Sequence, residues 1–159
     1  MDRPAFVYVT YIATTPEKLW TALTSGDFTY QYWAQRRIQS EWTPGAVVKT
    51  IKDDGTVDWQ GKVLAADPPR LLSYTFDVQG DPNRRDVAGK LVEQIDRERP
   101  SRVTFQIEEF MGQVKLTLTH DEFEPGSEVL ERVSRGWPVV LSGLKSVVEG
   151  AGVLFPNWQ

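Results

Sequence analysis

The sequence predicts an α+β fold in which an antiparallel sheet is covered by one long C-terminal helix. Between residues 6 and 120, several segments alternate apolar and polar side chains, as strands with one buried face do. From residue 128 onward the period changes, and apolar side chains recur every three or four residues, which is typical of an amphipathic helix. At 159 residues, the chain is expected to form a single domain over residues 1–159.

The first predicted elements are a strand and two short helices. Phe6–Ile12 contains only β-branched and aromatic residues, which favours a strand. Thr14 and Thr15 offer N-cap oxygens before Pro16, a residue suited to the first helical turn. We expect Asp27 to cap a second short helix that holds Phe28, Tyr32 and Trp33.

Hairpin-linked strands follow. Turns are predicted at residues 44–45 and 67–69, and a hairpin at Asp54-Gly55 between strands at 47–51 and 57–63. The later strands are predicted from alternating inward residues, which are Leu72, Tyr74 and Phe76, then Val103, Phe105 and Ile107, then Val114, Leu116, Leu118 and His120. Residues 80–100 are polar and charged, and their spacing permits a short amphipathic helix.

The final helix is predicted from an apolar stripe that continues over five turns. Its members are Leu130, Val133, Trp137, Leu141, Leu144 and Val148.

Composition excludes several functions. The formal charge of −4 mixes both signs without a basic stripe, which argues against nucleic acid as a partner. The absence of cysteine excludes disulfides, a thiol nucleophile and thiolate metal sites. No stretch approaches the ~18 apolar residues of a membrane span, so we expect a cytoplasmic protein.

Four segments together resemble a known family. They are Ala13-Thr14-Thr15-Pro16-Glu17-Lys18-Leu19-Trp20, Ser101-Arg102-Val103-Thr104-Phe105, Leu116-Thr117-Leu118-Thr119-His120, and the helix from Gly136-Trp137-Pro138 to Leu144-Lys145. The chain resembles the bacterial branch of the family named for the activator of heat-shock protein 90 ATPase, within the START-like or SRPBCC superfamily. The resemblance implies the helix-grip fold, a curved antiparallel sheet wrapped around a long C-terminal helix. It implies less about activity, since superfamily members bind lipids, sterols, hormones or polyketides, and some are enzymes.

His120 is the only histidine and the one candidate for acid–base catalysis. A packed or hydrogen-bonded side chain is the simpler interpretation, and a general base paired with a carboxylate is the alternative. Because the chain has one histidine and no cysteine, it cannot build a multi-histidine metal site. Residues 55–62 miss the phosphate-loop spacing, and no dinucleotide-binding glycine motif is present, so no cofactor is expected.

Aromatic residues carry the remaining signal. They either line a pocket between the sheet and the last helix or fill that space, and periodicity does not separate these alternatives. We predict an apolar or amphipathic small molecule there, fixed by Tyr74 or His120. The predicted site residues are Trp20, Phe28, Tyr32, Trp33, Trp59, Tyr74, Phe76, Phe105, Leu118, His120, Trp137 and Leu141.

Protein partners form the alternative function. The family name suggests a protein-interaction module that binds a chaperone. The apolar tail, residues 153–159, is expected to dock on its own domain or on a partner subunit of a homodimer.

Overall fold

The computed structural model describes residues 4–78 and 98–158. Its strands are β1 (Phe6–Ile12), β2 (Arg37–Ser40), β3 (Val47–Ile51), β4 (Val57–Asp67), β5 (Leu71–Val78), β6 (Ser101–Phe110) and β7 (Gln113–Asp121). Its helices are α1 (Pro16–Thr24), α2 (Gly26–Tyr32) and α3 (Glu128–Val148). The predicted helix within residues 80–100 falls almost entirely outside the described residues.

The described strands form one curved antiparallel sheet in the order β1-β7-β6-β5-β4-β3-β2. Alternate residues face inward, and on β7 these are Val114, Leu116, Leu118 and His120, all fully buried. The helices cover this inner face, so sheet and helices share one hydrophobic core. The α+β helix-grip prediction is therefore confirmed.

The first helix begins as the sequence predicts, but the second does not. The Thr15 hydroxyl accepts a hydrogen bond from the Lys18 backbone N–H at 3.2 Å, as an N-cap does. Ser25, and not Asp27, precedes α2 at the N-cap position, and its side chain makes no capping hydrogen bond. The Asp27 prediction was wrong because α1 and α2 share Ser25 as their junction, which places Asp27 inside the first turn.

One strand was not predicted. In β2, Ile38 is the only buried residue, so four residues give too short an alternation to recognise. The Thr29 hydroxyl joins α2 to this strand because it accepts from the Ile38 N–H at 3.0 Å and donates to the Arg36 carbonyl at 2.9 Å.

The N-terminus of α3 and the tail that follows the helix both contact other parts of the chain. The Glu98 carboxylate accepts from the backbone N–H groups of Glu128 and Val129 at 2.9 and 3.1 Å, where a negative charge complements the helix dipole. Beyond the helix, the tail contacts its own domain: Gln35 Nε2 donates to the Pro156 carbonyl at 3.2 Å, and Trp158 packs on the core. No helix in the described ranges is long and apolar enough to span a membrane.

Candidate functional site

An aromatic cluster occupies the space between the sheet and α3. The Trp59 ring stacks on Tyr74 with centroids 5.2 Å apart and contacts Phe76 at 4.8 Å. From α3, Trp137 meets Phe105 edge-on at 6.0 Å. These distances are those of rings in direct contact. At these pairs the predicted aromatic residues therefore fill the interior and pack against one another.

Trp33 closes the cluster toward solvent. It is half-buried, and its ring lies 5.1 Å from Trp137 and 5.7 Å from Trp59. It was expected inside the second helix, but it follows α2 as the C-cap residue. Trp33 is therefore the partly exposed member of a group of three tryptophans in mutual contact through it.

The segment after Trp33 has an unusual backbone. Ala34 and Gln35 have φ values of 47° and 56°, in the left-handed region that residues other than glycine rarely adopt. Each residue held in this region by the surrounding structure costs about 1–3 kcal/mol of conformational free energy. The backbone directly after Trp33 is thus strained.

Two buried polar atoms on the neighbouring strands β3 and β4 lack hydrogen-bond partners. They are the indole nitrogen Nε1 of Trp59 and the hydroxyl Oγ1 of Thr50. The two residues are 1% and 0% exposed, and they stand opposite each other on β4 and β3, with side chains on the inner face. A buried polar group without a partner costs about 1–3 kcal/mol, so such groups are uncommon. Both atoms therefore have hydrogen-bonding capacity that no described protein atom uses.

His120 lies deeper and is fully hydrogen-bonded. Trp137 Nε1 donates to His120 Nδ1 at 3.0 Å, and His120 Nε2 lies 2.7 Å from the Ser101 hydroxyl. Burial lowers the pKa of His120 to about 3. The neighbouring carboxylate, Asp121, instead accepts from Arg102 at 2.7 and 2.9 Å. These contacts favour the packed, hydrogen-bonded histidine over a general base paired with a carboxylate.

Tyr32 and Tyr74 are both buried. The Tyr32 hydroxyl donates to the Ala22 carbonyl at 2.8 Å, which ties α2 to α1. Burial raises the pKa of both Tyr32 and Tyr74, so both phenols stay protonated.

The other predicted site residues lie around the cluster. Leu118 and Leu141 are buried in the core, whereas Trp20 and Phe28 are half-buried and pack against it. Sequence reasoning missed Thr50 and Ser101. Their inward position follows from the strand period, but threonine and serine were not counted as site residues. No group of three or more potential metal ligands occurs within residues 4–78 and 98–158.

Comparison with known protein families identifies the family of this chain. The family model for activator of Hsp90 ATPase homolog 1-like proteins matches residues 13–149, most of the chain. The chain belongs to this family. No curated protein sequence matches it.

Solved structures agree on the architecture. A Mesorhizobium loti protein has a TM-score of 0.71 at 24% identity, covering 92% of this chain and 98% of the other. The Aha1 dimer from Colwellia psychrerythraea has a TM-score of 0.69 at 19% identity, with 92% and 96% covered. An HSP90 activator from Plasmodium falciparum has a TM-score of 0.67 at 20% identity, with the same coverage. At these identities the likeness shows the fold alone.

Proposed function

We propose that the chain binds a small aromatic or apolar molecule that carries a hydrogen-bond acceptor, in the space that Trp33 closes. The observation that carries the proposal is the unpartnered pair of Trp59 Nε1 and the Thr50 hydroxyl inside an aromatic cluster. The indole N–H is a donor only, and the hydroxyl donates when an acceptor faces it. A carbonyl or ether oxygen is therefore the group that this pair selects.

The route to the site passes Trp33. The ligand takes the place of the Trp33 indole when the strained segment at Ala34 and Gln35 relaxes and the side chain swings outward. Apolar burial against Trp59 and Trp137 then supplies most of the affinity, and the hydrogen bond supplies orientation.

A pair of matched probes tests this proposal. Benzophenone has two aromatic rings joined by one carbonyl, and diphenylmethane has the same rings without the acceptor. A net hydrogen bond of about 1 kcal/mol predicts roughly five-fold tighter binding of benzophenone, measured by isothermal titration calorimetry. In Trp59→Phe, which keeps a ring but removes the N–H, this preference should disappear, whereas the control Trp158→Phe should keep it.

Two results would contradict the proposal. If neither probe binds up to its solubility limit, the protein has no open site. If both probes bind the native sequence with equal affinity, a buried water satisfies Trp59 Nε1 and the Thr50 hydroxyl in place of the ligand. Mass spectrometry of the purified protein under native and then denaturing conditions would identify a natural ligand that leaves on unfolding.

A chaperone-binding role is the second candidate. It is supported by the family description and by the Plasmodium falciparum relative, an HSP90 activator. The test is the ATPase rate of an HSP90-type chaperone from the same organism, with and without the protein at physiological salt. Stimulation that saturates with protein concentration would support the role, and an unchanged rate with no complex in pull-down would refute it.

A further inference from the structure

Arg36 directly follows the strained residues Ala34 and Gln35, and its side chain is mostly buried. The guanidinium-bearing side chain is 14% exposed, and its Nη1 donates to the Ala34 carbonyl. The backbone N–H of Arg36 donates to the Trp33 carbonyl at 2.9 Å. Arg36 therefore holds the backbone from Trp33 to Gln35 in its turn through both its side chain and its main chain.

A carboxylate from the sheet faces the charge of Arg36. Arg36 Nε lies 3.4 Å from Asp58 Oδ2, and the Asp58 side chain is 20% exposed. Because Arg36 Nε has no hydrogen-bond partner, this contact is ionic. Removal of one member of a buried ion pair leaves the other charge desolvated and uncompensated. The buried position of Arg36 therefore depends on Asp58.

An irregularity of β4 supplies this carboxylate. Thr50 pairs with Trp59 and Ile51 pairs with Val57, so Asp58 is an extra residue without a partner on β3. Bulges of this kind re-aim side chains and are frequent next to functional sites. Asp58 also directly precedes Trp59, whose indole nitrogen is buried without a partner. The bulge thus brings the ion pair beside the residue on which the proposed ligand site depends.

We propose that the ion pair of Arg36 and Asp58 is a latch that keeps the segment 33–36 closed and so controls entry to the ligand site. The control of entry rests on the proposed function, whereas the closure of the segment does not. If Asp58 loses its charge, the Arg36 guanidinium is better solvated by water than by the interior, so the segment opens with it. Apparent ligand affinity rises in proportion to the open population.

Exchange of the Arg36 amide hydrogen with solvent tests the latch without a ligand. This N–H is hydrogen-bonded to the Trp33 carbonyl, so it exchanges when the segment 33–36 opens. Asp58→Asn should accelerate its exchange by more than about five-fold, the upper range for the loss of an exposed ion pair. The amide of Leu118, on the interior strand β7, should keep its native rate and so report that the sheet stays folded.

A neighbouring ion pair provides the matched control. Arg37 Nη1 lies 3.2 Å from Asp53 Oδ1, but these side chains are 44% and 60% exposed. Asp53→Asn should therefore leave the exchange rate of the Arg36 amide unchanged, because both charges stay in water. Asp58→Glu, which keeps the carboxylate, should restore a rate close to that of the native chain.

The same variants should differ in isothermal titration with benzophenone. Asp58→Asn should bind it more tightly than the native chain, and Asp53→Asn should not. The latch is overturned if the Arg36 amide keeps its rate in Asp58→Asn, accelerates equally in Asp53→Asn, or accelerates together with the Leu118 amide. If the Arg36 amide responds as predicted but no variant binds benzophenone, the latch is supported and the proposed function fails.

Discussion

The indole N–H of Trp137 donates to Nδ1 of His120 across 3.0 Å. Because an indole nitrogen only donates, Nδ1 must be the unprotonated nitrogen and Nε2 must carry the proton. Nε2 then donates to the Ser101 hydroxyl at 2.7 Å, and this hydroxyl lies 3.4 Å from the Phe76 carbonyl. The contact thus fixes the neutral tautomer of His120 and joins α3 to three adjacent strands.

The Trp137–His120 hydrogen bond should be visible in the free energy of unfolding. Trp137→Phe removes the donor and leaves Nδ1 buried without a partner, which predicts a loss of about 1–3 kcal/mol in addition to lost packing. Urea denaturation measures it. Trp158→Phe, at the half-buried tail, should cost clearly less, and equal losses would show that the hydrogen bond contributes little.

The pH dependence of stability should carry the signature of His120. Its pKa is lowered to about 3 by burial, whereas an unfolded histidine takes up a proton near its ordinary value of 6.5. Below pH 6.5 the unfolded state therefore binds the proton that the folded state excludes, and stability falls as the pH falls.

Between pH 6.5 and 5.0 the free energy of unfolding should fall by about 1.6 kcal/mol, because the unfolded histidine is half protonated at pH 6.5 and almost fully protonated at pH 5.0. In His120→Gln, which does not titrate, the decrease over the same range should be correspondingly smaller. Parallel curves for both proteins would contradict the assignment.

Thr50 and Thr29 form a matched pair for the buried hydroxyl. Both are fully buried, but the Thr29 hydroxyl has two hydrogen bonds near β2 and the Thr50 hydroxyl has no partner. Without ligand, Thr50→Val should leave the melting temperature unchanged or raise it, because an isosteric methyl replaces an unsatisfied group. Thr29→Val should cost about 1–3 kcal/mol. A comparable loss in Thr50→Val would reveal a bound water at Thr50.

Two glycines should respond to alanine in opposite directions. A Cβ at Gly61 would lie 1.8 Å from the Thr75 carbonyl oxygen, so Gly61→Ala forces β4 and β5 apart and should cost more than about 2 kcal/mol. Gly136 lies inside α3 with nothing within 4 Å of such an atom. Gly136→Ala should therefore stabilise the protein by about 0.5–1 kcal/mol in thermal or urea denaturation.

Much of the fold could be predicted because its signals are local. The strand β1 follows from its run of β-branched and aromatic residues, the helix α3 from its side-chain period, and the start of α1 from Thr15 and Pro16. The short strand β2 could not be predicted, since Ile38 alone marks its buried face and its partner strand supplies the rest.

The site was predictable only in part, for a physical reason. Period alone places Trp59, Tyr74 and Trp137 on inner faces, but whether rings line a cavity or fill it depends on contacts between distant segments. The position of Trp33 depends on the backbone at Ala34 and Gln35, which no motif announces. Thr50 was overlooked because threonine and valine fit an inward strand position equally well, so the strand period does not reveal the buried hydroxyl.

The indole resonance of Trp59 in a proton–nitrogen NMR spectrum tests the central claim most directly. Benzophenone should move this Nε1–H signal downfield as the carbonyl accepts its hydrogen bond, and diphenylmethane should perturb the ring neighbours without that shift. A Trp59 indole signal that is unchanged by both probes, while other signals report binding, would place the ligand elsewhere and contradict the proposed site.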